Sequence, residues 1–297
     1  MIQNNPVIPV IFGEVLFDCF PDGNSVLGGA PFNVAWHLQA FGMSPLMISS
    51  IGDDELGNDV KAAMQDWNMS TAGLQSDPAH PTGSVDIEFD NGEPRYTIVE
   101  HRAYDHIDPG SLPSLPENRL LYHGSLALRN QTSRDALAAL KSQHRGTVFM
   151  DVNLRDPWWE RQYVLNLASE ADWVKLNEDE LVLLSSERDT IEAQAHAFMD
   201  THALKGLVVT LGEKGALALT SDGSRAMVSP SQTLDVVDTV GAGDAFTSVL
   251  ILGIIRDWPL ESTMQRAQAF ASQIVGQQGA TVHDHAFYQV MIADWDL

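Results

Sequence analysis

The chain has 297 residues, 44% hydrophobic and 19% charged, which excludes collagen-like, low-complexity and wholly disordered readings. Lys and Arg total 17 against 40 Asp and Glu, a formal net charge of -23, so neither nucleic acid nor an anionic membrane surface is an expected partner. The single cysteine, Cys19, excludes an intrachain disulfide and a cysteine-built metal site and suits a reducing cytoplasm. A chain this long buries about 75% of its extended surface, enough for a large core without staples. Met1 to Pro9 has no basic segment and no apolar run suited to a signal peptide, and no stretch reaches the ~18 apolar residues of a membrane span.

In chain order, Val10-Ile11-Phe12 and Val15-Leu16-Phe17 are short apolar runs broken by Gly13. A helix is predicted from Phe32 to Phe41, with Pro31 near its start, Val34, Leu38 and Phe41 on one face, and Gly42 as its C-terminal cap. Leu46 to Ile51 reads as a strand. Ser84 to Phe89 and Arg95 to Val99 flank Asp90-Asn91-Gly92, a hairpin signal. Ser111 to Glu117, with Pro113 and Pro116, is the best candidate for a loop. Beyond Arg119 the alternation is regular: Leu120 to Tyr122, Val148 to Asp151, Trp173 to Leu176 and Leu207 to Thr210 read as buried strands. Ser133 to His144 and Ile191 to His202 read as crossing helices. This is the pattern of a mostly parallel sheet with helices on both faces. Ligands in such folds bind beyond the carboxyl ends of the strands, which gives weight to His123, Asp151-Val152-Asn153, Asn177 and Thr210-Leu211-Gly212.

The most informative stretch is Asp238-Thr239-Val240-Gly241-Ala242-Gly243-Asp244, ahead of the apolar helix Ala245 to Ile255. Glycines at a helix start leave amides uncovered, and the helix dipole adds positive potential, which makes an anion site. An acid inside an anion site needs a task. Asp244 beside a phosphate chain would accept the proton of an attacking hydroxyl; by local physics it reads equally as a first-turn acid after a plain turn. The dinucleotide fingerprint fails because Phe246 takes its third glycine position, and no Walker A pattern occurs. Gly28-Gly29-Ala30-Pro31-Phe32-Asn33 is a second glycine pair opening a helix. There Asn33 could bond a sugar hydroxyl or simply start the helix. His283-Asp284-His285 has metal-like spacing but reads as a solvated tail, and Trp158-Trp159 as aromatic cover for a core.

With these residues in view, the chain resembles the PfkB family of carbohydrate kinases, of ribokinase-like fold, and most of all its fructokinases, from about Val10 to Ala280. Gly28 to Ala35 resembles the family's N-terminal signature and Val237 to Phe246 its C-terminal one. Asp151 to Arg155, Asn177 to Glu180 and Thr210 to Gly215 are similar to further family blocks. Gly13-Glu14 leading to Asp18, and Ala103-Tyr104-Asp105, look specifically fructokinase-like.

The resemblance implies roles by position. Asp244 matches the general base, and the amides of Gly241, Ala242, Gly243 and Asp244 match the anion hole for the transferring phosphoryl group. Asp18, Gly28, Gly29, Asn33 and Tyr104 match sugar-side positions. Asn177, Thr210, Gly212, Gly215 and Arg155 match the nucleotide side. Glu180 matches the acid that organises Mg2+ through water, and Asp238 a ligand for a monovalent cation, K+. Lys214, His101 and Arg102 are candidates of lower rank, either meeting ligand or forming surface charge. Val240 stands where many relatives have Thr or Ser, Phe32 where a smaller residue is frequent, and Val152 where Pro is frequent.

The implied whole is an α/β, ribokinase-like kinase domain over residues 1–297, with a small β-sheet lid inserted at about 13–27 and 82–99. The implied reaction is ATP-dependent phosphorylation of a monosaccharide, foremost D-fructose, with Mg2+ and K+ as cofactors, in the cytoplasm, with a homodimer through the lid. The alternatives are a kinase for ribose, 2-keto-3-deoxygluconate or a nucleoside, and a non-catalytic sugar-binding regulator of the same fold.

Overall fold

A computed structural model describes residues 6–90, 93–143, 145–185, 190–230 and 236–297. Its elements in chain order begin with strands β1 (Ile8–Phe12), β2 (Leu16–Cys19) and β3 (Ser25–Gly28), then helix α1 (Ala30–Ala40), β4 (Leu46–Gly52), α2 (Glu55–Asp66) and β5 (Leu74–Asp77). There follow β6 (Gly83–Asp90), β7 (Glu93–Ile98), β8 (Arg119–His123), α3 (Gln131–Ser142), β9 (Val148–Asp151), α4 (Arg161–Ser169), β10 (Trp173–Asn177), α5 (Glu178–Leu184) and α6 (Ile191–Thr201). The chain closes with β11 (Gly206–Thr210), β12 (Ala216–Thr220), β13 (Arg225–Val228), α7 (Ala242–Ile255), α8 (Leu260–Val275) and α9 (His285–Trp295).

The chain divides into two compact units. The first holds residues 1–9, 117–126 and 145–280. Its strands run in the order β13-β12-β11-β10-β9-β8. β8, β9, β10 and β11 are parallel, each register carrying the chain in one direction, and β12 and β13 turn back antiparallel at the edge. Parallel strands covered by helices are apolar along their length, and Phe149, Met150, Val174, Leu176, Leu207 and Val208 are buried accordingly. α7 is buried from Ala245 through Gly253, as a helix apolar on all sides must be. It packs on α8, and Gly253 permits the approach, since a side chain there would overlap Thr263.

The second unit holds residues 10–116, 127–144 and 281–297. β1, β4 and β5 are parallel. A separate four-stranded sheet runs in the order β3-β2-β6-β7, built from the two segments expected to form the small sheet. β6 and β7 pair antiparallel; Asn91 and Gly92 of the expected hairpin turn lie outside the described residues, as does His144 at the expected end of α3. α1 starts two residues earlier than the apolar pattern suggests. It ends on Gly42, whose φ of 77° lets the amides of Gly42 and Met43 reach the carbonyls of Gln39 and Leu38 at 2.9 and 3.0 Å, closing the helix as a Schellman turn.

His283-Asp284-His285 is exposed, as expected of a solvated segment, but it is ordered. Asp284 caps α9 by accepting from the Ala286 amide. His285 stacks on Trp67 at 4.0 Å, Trp67 stacks on Trp36 at 4.5 Å, and His283 lies 4.5 Å from Trp36. The tripeptide closes an aromatic cluster, and no three-residue metal cluster of His, Cys, Asp or Glu exists among the described residues. Nor is any described helix long and apolar enough to cross a membrane.

Candidate active site

In the first unit the strand ends of β9, β10 and β11 carry the polar residues, and α7 begins among them. Gly241 is the N-cap of α7 at φ 78°, with no side-chain cap. A Cβ at Gly241 would overlap the Cα and Cβ of Ala280, so only glycine fits. Ala245 is the first residue whose amide closes a helical bond, onto the Gly241 carbonyl at 2.8 Å. The Ala242 amide donates to the Thr239 carbonyl at 3.4 Å, and helix geometry gives the amides of this first turn no partner inside the helix itself. Gly243 is exposed and Asp244, in the first turn, is half-buried. A run of uncovered amides beside a carboxylate can hold an anion and take a proton next to it.

Behind this turn lies a cluster that sequence reasoning missed. Lys175 on β10 and Asp151 on β9 are register partners. Lys175 Nζ donates to both carboxylate oxygens of Asp151, at 2.9 and 2.8 Å, with the side chains 9% and 3% exposed. Burial works against the ammonium, but Asp151, and further off Glu180 and Asp244, outweigh it and push the Lys175 pKa up. Thr247 of α7 shares its hydroxyl between Asp151 Oδ2 at 2.8 Å and the Gly243 carbonyl at 2.9 Å. The signal available in the sequence is a lone lysine between Val174 and Leu176 in an apolar strand.

Asn177 and Thr210 are register partners at the ends of β10 and β11, so two expected nucleotide-side residues stand side by side. Asn177 caps α5, accepting from the Glu180 amide at 2.8 Å. Glu180 does not face solvent: it is buried, and its two oxygens accept the amides of Asn177 at 2.8 Å and Leu154 at 2.7 Å. It thereby ties the Asp151 to Arg155 loop to the start of α5. Burial pushes its pKa up, partly offset by those amides. Arg155 is exposed and donates to the Leu154 carbonyl. Lys214 forms an exposed pair with Glu178 at 3.4 Å. Gly212 and Gly215 both have positive φ, 58° and 101°, and a Cβ at Gly215 would run into the Val228 carbonyl. Asp238 accepts the amides of Val240 at 3.0 Å and Gly279 at 3.1 Å.

A carboxylate has about four acceptor positions. Glu180 and Asp238 each use two on amides, so both keep hard oxygen capacity of the kind that Mg2+, through water, and K+ accept. The residues fit those ions.

The second unit carries the expected sugar-side residues. Leu16 pairs with Gly28 on one side and Gly83 on the other, and Asp18 with Val26 and Val85, so Asp18, Gly28 and Gly83 share a face of the small sheet. The Asp18 side chain makes no hydrogen bond among the described residues, and burial pushes its carboxyl pKa up. Gly29 caps α1 at φ 105°, where a Cβ would come within 2.8 Å of the Glu14 carbonyl oxygen. Asn33 is buried, its Oδ1 3.8 Å from where a Cβ on Gly28 would stand. Tyr104 lies under Gly83, fully buried, its hydroxyl without a partner in this structure and its pKa pushed far up by burial. Its backbone is held by Ser133 Oγ, which donates to the Tyr104 carbonyl. Asp105 takes a two-pronged contact from Arg129 at 2.6 and 2.8 Å, and Arg129 also donates to the Val99 carbonyl. His101 is exposed and Arg102 half-buried.

The architecture is that of the ribokinase-like α/β class, a large mostly parallel sheet with helices and a smaller separate sheet. The model of the pfkB family carbohydrate kinases matches residues 20–285; the chain belongs to that family, whose fructokinase members are phosphotransferases acting on an alcohol. It is 31% identical over 263 residues to a fructokinase of Klebsiella pneumoniae, covering 82% of this chain and 83% of the relative. Among solved structures it is similar to Vibrio cholerae O395 fructokinase bound to fructose, ADP and a calcium ion (27% identity, TM-score 0.78, 92% and 94% of the two chains). A double mutant of that enzyme holds fructose, ADP and a potassium ion. Aminoimidazole riboside kinase of Salmonella enterica, complexed with its riboside and an ATP analogue, is alike at 25% identity and TM-score 0.79, over 92% of this chain and 94% of its own.

Proposed function

We propose that the protein is an ATP-dependent kinase of a free monosaccharide, D-fructose foremost, and that residues 1–297 act as one kinase domain. The observation that carries this reading is the start of α7, where a glycine N-cap without a side-chain cap, the exposed Gly243 and a half-buried Asp244 occupy one turn. Asp18, Asn33 and Tyr104, with the backbone at Gly28 and Gly29, bind the sugar. An unpartnered half-buried carboxylate such as Asp18 is a costly arrangement unless a ligand donates to it. Asn177, Thr210, Gly212, Gly215 and Arg155 line the nucleotide side.

In the reaction the sugar hydroxyl oxygen forms a bond to the γ-phosphorus, the bond from that phosphorus to the β–γ bridging oxygen breaks, and ADP leaves. Asp244 takes the hydroxyl proton. The amides of Gly241, Ala242, Gly243 and Asp244 hold the charge spread over the phosphoryl oxygens. Mg2+, held near Glu180 through water, supplies neutralisation of the phosphate charge when bound. Asp238, whose carboxylate already accepts the Val240 amide, would hold K+ beside the following turn and so offset its negative charge there. The homodimer through the small sheet is supported by exposed Val26, Phe89 and Tyr96 on one of its faces.

A coupled ADP-release assay over fructose, ribose, 2-keto-3-deoxygluconate and nucleosides, aminoimidazole riboside included, tests the acceptor. Fructose is expected to give the highest kcat/KM, and ADP release independent of every sugar refutes the reading. Asp244→Asn should lower kcat by about 10²–10⁴, the usual worth of a general base, with sugar affinity unchanged. Near-normal turnover by a folded Asp244→Asn protein would place the chemistry elsewhere.

A further inference from the structure

A buried ammonium–carboxylate pair is often no more stabilising than an apolar substitute, so the pair Lys175–Asp151 calls for a reason beyond stability. Its position supplies one. Asp151 and Lys175 stand on neighbouring strands in register. Thr247 carries the connection into α7, bonding the carboxylate on one side and the Gly243 carbonyl on the other. Lys175 Nζ lies 3.8 Å from where a Cβ on Gly243 would sit. The sheet is thus linked, through buried polar contacts, to the first turn of α7.

We propose that Lys175, Asp151 and Thr247 are positioning residues, which lock the first turn of α7 so that the amides of Gly241 to Asp244 are presented to the phosphoryl group. The proposal rests on the phosphotransfer reading of that turn. A helix start is otherwise free to fray, and an anion hole aimed at a developing charge depends on donors that do not reorganise during the reaction. The ammonium adds positive potential behind the turn, and its field reaches the carboxylates of Asp244 and Glu180. Lys175 touches neither sugar nor nucleotide in this account; it acts through the turn.

The test uses four variants of the full chain. Thr247→Val removes both hydroxyl bonds at constant shape, and Thr247→Ser keeps them. Lys175→Met removes the charge, and Lys175→Arg keeps it. With fructose and ATP, Thr247→Val should lower kcat about tenfold while both KM values stay within about twofold, the pattern of an interaction realised in the transition state. Thr247→Ser should restore most of the rate. Lys175→Met should lose more than Thr247→Val, and Lys175→Arg should recover part of it.

A second readout needs no turnover. Inorganic phosphate, against chloride at equal ionic strength, should raise the melting temperature of the wild type and of Thr247→Ser but not of Thr247→Val or Lys175→Met. Wild type that phosphorylates no sugar but shows this phosphate pattern would overturn the function and support the positioning role. Variants that melt earlier yet keep wild-type kcat and the same phosphate response would overturn the positioning role.

Discussion

Gly241 and Gly243 stand two residues apart in one turn and should fail in opposite ways when a methyl group is added. Gly243 lies inside α7 at ordinary helical φ, and a Cβ there meets only Lys175 Nζ at 3.8 Å, an ordinary contact. Gly243→Ala should therefore stabilise the fold by about 0.4–1 kcal/mol, through lost freedom of the unfolded chain, and raise Tm by about 1–3 °C. Gly243 is exposed in the turn proposed to meet the phosphoryl group, and a side chain there should crowd the anion away from its amides. An anion-hole contact typically contributes about 10²–10³ in kcat, and a fall of about 10² is expected. Gly241→Ala has the reverse balance. Its φ of 78° costs alanine about 1–2 kcal/mol, and overlap with Ala280 adds about 1–3 kcal/mol of overpacking. A loss of about 2–5 kcal/mol corresponds to a Tm lower by roughly 5–15 °C. Calorimetry and steady-state assays on the two variants separate the effects. A Gly243→Ala enzyme with wild-type kcat would refute the claim that the phosphoryl group meets the backbone there, and a Gly241→Ala protein of unchanged Tm would refute the packing argument.

The other expectations concern single side chains. Asp18→Ala should raise the sugar KM by roughly 10- to 150-fold, the loss of charged hydrogen bonds worth about 1.5–3 kcal/mol, while the ATP KM moves far less; equal losses for both substrates would make Asp18 structural. K+ should activate turnover relative to Na+ at matched ionic strength, and Asp238→Ala should abolish that difference; identical rates in K+, Na+ and a bulky organic cation would remove K+ from the account. Arg129→Met leaves the buried Asp105 carboxylate, 3% exposed, without its partner and should cost about 3–5 kcal/mol in urea unfolding. For Asp54, burial works to raise the pKa, but bonds from the Thr82 hydroxyl and amide and the Gly57 amide outweigh it and hold the carboxyl below its ordinary 3.8. Its contribution is therefore present above pH 3.8 and lost as pH falls through the folded value. The stability gap between wild type and Asp54→Asn should narrow on acidification across that range, and a gap independent of pH would contradict the sign.

Local chemistry makes much of this protein legible from the order of its residues alone. Gly241-Ala242-Gly243-Asp244 ahead of an unbroken apolar helix reads as an anion site, because orphan amides and the absence of side chains are properties of a few neighbouring residues. The parallel strands are visible for the same reason: buried strands such as Val148 to Asp151 and Leu207 to Thr210 are continuous apolar runs. Asp18 stands out as an acid inside such a run. The short strands β12 and β13 do not, since nothing in Ala216 to Thr220 says that it turns antiparallel; the tight turn through Gly212 and Gly215, which returns it onto Gly206 to Thr210, decides that.

Contacts distant in sequence are beyond the reach of local chemistry. That Asp151 belongs to Lys175 and Thr247 follows from strand register and from where α7 lands on the sheet, 96 positions along the chain for Thr247. Glu180 looks like one acid among several on a solvated helix, and burial against the Leu154 amide makes it a clamp. Trp67 looks like one more apolar residue of a helix end until its indole N–H finds the Trp36 carbonyl, 31 positions back along the chain. In each case the residue's own chemistry permits several partners, and the choice among them is made by which groups the folded chain desolvates together, because a buried donor or charge must be satisfied by whatever acceptor the topology brings within reach.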